Sequence, residues 1–408
     1  MRELLGVRGM PAYYVAATLA RVGDEMVAFT LVLLVLERTD SPGLAGLTGA
    51  AYALPAIATG PLLGAWLDRT HYRRAALALN QATLAAVMLS LLVVAGHAPD
   101  WTVPTLAALA GTTLPMVSGG FTSMLPSLVP QRLLAGANSL EAASFGAATI
   151  AGPAAAATIA AAVSVEAAAA VITVTATVSI LAITRLPGLP PAVAPEDREP
   201  FLASVVGGLA HLARTPRLRM STVATTAVMG ATGFLLITLP LHMPSLGAPR
   251  AAAGYLWTAL EIGSVTTAVL LGRLQSRWRP ELVVLVAVAA YGLAMASWTL
   301  AGSLAVLLVL AAAAGLFEGP MLPAMFAARQ QYSPAELQGR VSTTAASLRV
   351  GAGALGQAAG GLLVPVIGTS AALLTVALGV LAAAALGYLA GLSRTTEGTP
   401  VDETISRG

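Results

Sequence analysis

Long apolar runs separated by short polar loops recur along the whole chain. A helix needs about 20 apolar residues to cross a bilayer. Twelve stretches meet that requirement: 11–36, 43–67, 75–96, 101–128, 138–163, 167–186, 219–243, 251–273, 281–301, 303–328, 338–364 and 368–392. The pattern breaks between the sixth and seventh, at "RLPGLPPAVAPEDREPFLASVVGGLAHLARTPRLR". This segment begins Pro-rich and charged, then turns amphipathic and ends in Arg214, Arg217 and Arg219. It predicts a linker followed by a helix lying in the membrane interface. The polar end, "SRTTEGTPVDETISRG", predicts a disordered tail. The expected organisation is a six-helix bundle over 1–187, a linker with an interfacial helix over 188–218, a second six-helix bundle over 219–392 and a tail over 393–408. The fold class is an all-α membrane protein with twelve transmembrane helices in two pseudo-symmetric bundles.

Composition agrees. The 408 residues are 57% hydrophobic and 10% charged, with mean hydropathy +0.80. Soluble domains carry about 25% charged residues. The 25 Pro and 40 Gly suit membrane helices, which tolerate both better than soluble ones do. There is no Cys, which excludes disulfides, thiol catalysis and Cys metal sites. There is no Lys either, so all 22 basic residues are Arg, and a GxxxxGK[ST] phosphate loop is excluded. His71, His97, His211 and His242 fall at span ends or in loops without metal-ligand spacing. No enzyme, metal or cofactor is expected; the chain would draw on an ion gradient or the substrate's own gradient, and a proton gradient is the expected energy source. "MRELLGVRG" leads into a full span without a cleavage site, so no signal peptide is expected.

The arginines report topology. With both termini in the cytoplasm, 18 of the 22 face inward, two (Arg38 and Arg250) face outward, and two (Arg21 and Arg349) lie within spans. The positive-inside rule then orients a multi-pass protein of the cytoplasmic membrane. The net charge of +3 reflects this topology rather than a nucleic-acid partner. The expected partners are a small-molecule substrate and the lipid bilayer, with the chain acting as a monomer.

The halves repeat. "SMLPSLVPQRLLAGANSL" and "PMLPAMFAARQQYSPAELQGRVS" both carry Met-Leu-Pro at a span end, then a polar loop, then a small-residue helix. "LLGAWLDR" matches "LLGRLQSR", with Asp68 replaced by Ser276. "GPLLGAWLDRTHYRRA" resembles the signature loop of the major facilitator superfamily through Gly64, Asp68, Arg69, Arg73 and Arg74. His71 stands where the family often has Gly, and the basic pair comes one place later. "RVGDEM" and "LVPQRLLAGANSL" resemble the branch of macrolide-efflux proteins and the enterobactin exporter. "TIAGPAAAA" resembles the antiporter motif through Gly152 and Pro153. The resemblance implies alternating access, with a rim cluster at Asp68 that latches one conformation and a span-five helix that seals one side of a cavity. Plain topology signalling by the arginines and an ordinary Pro-kinked helix are the alternatives.

Seven charges lie inside spans: Arg21, Asp24, Glu25, Glu141, Glu261, Glu318 and Arg349. A charge at the bilayer centre costs on the order of 3 kcal/mol, so each needs a polar interior. Spans three, six, nine and twelve carry none centrally, and in the family's fold these are the outer scaffold. At about 100° per residue, Asp24 and Glu25 flank Arg21 on the helix surface, so one Arg can face both. Five acids against two bases cannot all be ionised and paired, and this excess favours a proton carrier. Arg21, Asp24, Glu25, Glu261, Glu318 and Arg349 are expected to line the cavity, with Asp24 as the main coupling acid. Glu141, near the cytoplasmic end, is expected to be structural or gating. A static Arg–carboxylate network is the alternative for Arg21 and Asp24. Glu318 precedes Gly319–Pro320, where a broken helix would free carbonyls. The expected function is proton-coupled export of small amphipathic or cationic molecules. An importer or uniporter of a polar metabolite, and a non-transporting sensor on the same fold, are the alternatives.

Overall fold

The computed structural model describes residues 2–70, 72–187, 201–275 and 277–392. The expected Pro-rich linker and C-terminal tail lie outside the described residues. All twelve expected spans are helical, and there is no strand among the described residues. Span one is Met10–Thr39, three is Arg73–Val94, five is Gln131–Ala162 and six is Val165–Thr184. Eight is Ala253–Gln275, nine is Pro280–Ala296, eleven is Ala335–Ile367 and twelve is Thr369–Leu392. The other four are broken. Span two divides into Pro42–Ala53 and Pro55–Arg69, and seven into Pro216–Gly233 and Leu235–His242. Ten divides into Leu304–Glu318 and Met321–Tyr332, at Gly319–Pro320. Four runs from Thr102–Gly111 through a wide turn at Met116–Gly120 to Leu125–Leu128. A proline lacks the N–H that would continue the ladder, and its ring crowds the preceding turn; Pro55, Pro115 and Pro320 stand at three of these breaks.

Among the described residues, nine helical stretches are long and apolar enough to cross a membrane by length and composition. The remaining three spans are one, two and four. Span one is continuous but carries Arg21, Asp24 and Glu25 in its middle, and spans two and four are interrupted.

The packing has a twofold pattern. Span one packs on six and five, three on six, and two on four. Adding six to each number gives the main contacts of the second half: seven on twelve and eleven, nine on twelve, and eight on ten. The halves meet through spans two with eleven and five with eight, a pair of contacts that the same shift interchanges. Small residues allow these approaches, because packing drives helix association in lipid. A Cβ on Gly46 would lie 2.8 Å from the Gly361 Cα, and one on Gly254 would lie 2.7 Å from the Pro153 carbonyl oxygen. Both contacts sit in the half of the molecule away from the arginine-rich loops.

The amphipathic helix is present at Phe201–Arg214. It is a packed element, docked on span eleven: Leu212 is buried with Leu218, Val341 and Ala345, and a Cβ on Gly208 would meet the Arg340 carbonyl at 2.7 Å. Its other face exposes Val206 and Leu209.

Candidate functional site

A central cavity of about 490 Å³ lies between the halves. Span one contributes Glu25 and Phe29, five Thr149 and Pro153, seven Met229 and Thr232, and eight Trp257 and Glu261. Span nine contributes Tyr291, ten Glu318, and eleven Arg349 and Gln357. Four of the six charges expected in the cavity are thus brought together from spans one, eight, ten and eleven. Three carboxylates face one guanidinium in a chamber whose remaining wall is mostly apolar and aromatic, with Thr149, Thr232 and Gln357 among it.

Several polar atoms of this wall are unsatisfied within the protein. Glu318 Oε2, Trp257 Nε1, Arg349 Nε and Gln357 Oε1 are buried without a hydrogen-bond partner. An unmade hydrogen bond on a buried group costs about 1–3 kcal/mol, so these atoms are prepared to receive a ligand or water. Among the described residues, Arg349 donates only to the Met325 sulfur, at 3.6 Å. Glu318 closes the first helix of span ten, so the break there places a carboxylate at the cavity wall.

Arg21 and Asp24 do not line this cavity, and the expectation that Arg21 faces both Asp24 and Glu25 is corrected. Arg21 is 1% exposed and turns to span five. It forms an ion pair with Glu141, donates to Ser144 Oγ at 2.5 Å, and stacks 3.8 Å from the Phe145 ring centre. The same Glu141 oxygen accepts from Tyr13 at 3.0 Å and Thr122 at 2.9 Å. Glu141 outcompetes the neighbours on span one because it presents its carboxylate across the helix interface inside a ready-made set of donors. Asp24 instead accepts from Tyr52 of span two at 3.1 Å. The geometric argument for Asp24 as the principal coupling acid is therefore lost.

Gly152 holds span one close. A Cβ there would lie 2.4 Å from the Glu25 Cβ, so this glycine sets how Glu25 enters the cavity. Pro153 lines the cavity directly. At the rim, Arg73 is buried and donates to the Leu67 carbonyl at 2.9 Å, while Arg74 donates to the Thr184 carbonyl at 2.5 Å. Both clasp the loop to its surroundings. The side chains of Gly64, Asp68 and Arg69 lie outside the described residues. Tyr52, Tyr291, Trp257 and Gln357 were missed. Their signal was available: aromatic residues are only 5% of the chain, so a Tyr or Trp mid-span, like a mid-span Gln, stands out.

A family model described as Major Facilitator Superfamily matches residues 13–245 and 221–405. The chain belongs to the Major Facilitator Superfamily. It is 30% identical over 373 residues to the multidrug efflux pump Tap of Mycolicibacterium fortuitum, covering 86% of this chain and 88% of that one. An uncharacterized MFS-type transporter of Sinorhizobium fredii is 29% identical over 377 residues, covering 89% and 90%. Solved facilitator structures share the fold. An auto-inhibited POT family peptide transporter superposes with a TM-score of 0.71 at 13% identity, covering 98% of this chain and 99% of that one. A bacterial homologue of the lysosomal transporter Spinster, inward-facing and unoccupied, gives 0.65 at 14%, covering 94% and 95%. The chain is a multi-pass membrane transporter of the facilitator family, and its family relatives and structural neighbours are transporters rather than enzymes.

Proposed function

We propose that this facilitator exports small amphipathic cations in exchange for protons. The observation that carries the reading is the central cavity, where Glu25, Glu261 and Glu318 stand against Arg349 alone. Carboxylates in a low-dielectric chamber hold either protons or a cationic ligand, because leaving several of them bare costs solvation energy. Protons and substrate then compete for the same oxygens, which is the requirement for exchange. Phe29, Trp257 and Tyr291 supply apolar and cation–π surface for the rest of such a ligand. The likeness to a multidrug efflux pump favours export over import. Glu318 is the strongest candidate for the coupling acid, because it has a free oxygen and sits at a helix break.

The way the halves meet supports an alternating-access cycle. The contacts at Gly46–Gly361 and Gly254–Pro153 are reinforced by Arg250, which reaches Asp40 at 2.9 Å and the Leu36 carbonyl at 3.1 Å. These would separate when the cavity opens on that side. With both termini in the cytoplasm of a bacterial cell membrane, that side is the outer one. One copy suffices for this cycle, and no cofactor enters it. The test is proteoliposome transport of matched cationic, neutral and anionic amphiphiles under an imposed pH gradient. The proposal expects accumulation of the cation alone. Equal movement of all three, or movement insensitive to the gradient, would overturn it.

A further inference from the structure

A second concavity, of about 830 Å³, opens on the lateral, lipid-facing flank of the bundle between spans eight, nine and ten. Its origin lies in the packing above it. Spans eight and ten are locked together where a Cβ on Gly263 would stand 2.1 Å from the Ala312 carbonyl oxygen, and one on Gly315 2.0 Å from the Leu260 carbonyl oxygen. The lock ends at Gly319, where span ten breaks and resumes as Met321–Tyr332. Below that point span nine supplies the remaining wall, and a groove is left.

The groove has the dimensions and polarity of one membrane leaflet. Its walls include Leu270, Val286, Ala290 and Phe317, and its open end is rimmed by Arg277, Trp278 and Arg279. From Arg279 to Ala290 span nine rises about 16 Å at 1.5 Å per residue, and half the hydrocarbon core is about 15 Å. The rim is therefore at headgroup level and the far end near the midplane. Trp278 is 53% exposed, as suits an aromatic side chain at the interface. Among the described residues neither Arg277 nor Arg279 forms an ion pair. Two free guanidiniums at the mouth of an apolar groove match a phosphate with an attached acyl chain.

We propose that this groove is a binding site for one anionic phospholipid, with its phosphate between Arg277 and Arg279 and an acyl chain laid against Leu270, Val286 and Phe317. A headgroup without a compensating ammonium is preferred, because the rim contributes two positive charges. The site has a consequence for transport. Phe317 and Pro320 line the groove, while Glu318 between them lines the central cavity. A bound lipid thus braces the broken turn that carries a cavity carboxylate.

The test is native mass spectrometry of the full-length protein in mild detergent, titrated with phosphatidylglycerol or phosphatidylcholine of equal chain length. Wild type should retain one phosphatidylglycerol at least fivefold more strongly than phosphatidylcholine. R277Q/R279Q should lose that preference, while R8Q/R214Q, which removes the same charge from exposed sites elsewhere, should keep it. Ala290→Trp, which fills the groove and leaves both arginines, should lower retention of both lipids. Equal retention of the two lipids by wild type, unchanged preference in R277Q/R279Q, an equal loss in R8Q/R214Q, or unaltered retention in Ala290→Trp would each overturn the proposal.

Discussion

Two arginines placed inside membrane spans, one in each half, have opposite fates. Arg21, in the first half, is enclosed by Glu141, Ser144 and Phe145. Arg349, in the second, reaches only a methionine sulfur among the described residues and faces a cavity holding Glu318. The first arrangement joins spans one, four and five into a fixed unit. The second keeps its charge and its hydrogen-bonding capacity available. A charge inside the membrane thus does not by itself indicate transport chemistry; what distinguishes the two is whether its partners are already supplied by the protein.

The comparison is broken most severely by removing one side of the closed pair. Arg21→Met leaves Glu141 buried without its counter-charge, a defect worth about 3–5 kcal/mol. We expect a large fall in folded yield and in the thermal midpoint in detergent. Arg21→Met combined with Glu141→Leu should recover much of the loss, because replacing both partners removes the uncompensated charge. Arg349→Met should instead fold like wild type and change transport.

Next in size are the cavity acids. Glu318→Gln should lower gradient-driven transport at least tenfold, which corresponds to about 1.4 kcal/mol or more on the rate-limiting barrier, without altering the thermal midpoint. Glu25→Gln should reduce transport more than Asp24→Asn, because Glu25 lines the cavity and Asp24 is held by Tyr52. The reverse order would return the coupling role to Asp24.

Gly152→Ala should act on the same site from behind. The added methyl cannot fit 2.4 Å from the Glu25 Cβ, so spans one and five must move apart. We expect a moderate loss of transport, with the folded protein retained. Gly146→Ala, on the same helix with open space before it, is the matched control.

The smallest effect belongs to the half-buried pair Arg38–Glu166, at 2.8 Å. Arg38 donates to Glu166 Oε1 from Nε at 3.0 Å and from its terminal nitrogen at 2.8 Å. Protonating the carboxylate in acid removes the charge attraction of this pair. Glu166→Gln should therefore lower the midpoint slightly at neutral pH, and the difference should vanish in acid. Solvent screening keeps such pairs below about 1 kcal/mol.

Much of this was legible in the chain. Apolar run length alone located every span, because a bilayer sets a minimum length that each helix must meet. The broken helices were less so: Gly319–Pro320 announced one, but Phe234 gives no comparable signal for the break in span seven. The cavity charges Glu25, Glu261, Glu318 and Arg349 were readable because an ionisable group in lipid has so few places to go. Which arginine pairs with which acid was not readable. Arg21 had two carboxylates within one turn and chose a third, 120 residues away, because cross-helix packing fixed Glu141 among donors that local helical geometry cannot reveal. The groove below Gly319 was likewise invisible, since it exists only where two tightly packed helices part.

The most direct test of the account is uptake of an amphipathic cation such as ethidium into proteoliposomes, comparing wild type with Glu318→Gln under an imposed pH gradient and in gradient-free counterflow. The account predicts uphill accumulation by wild type only, with counterflow retained by the variant. Accumulation by Glu318→Gln at the wild-type level would contradict it.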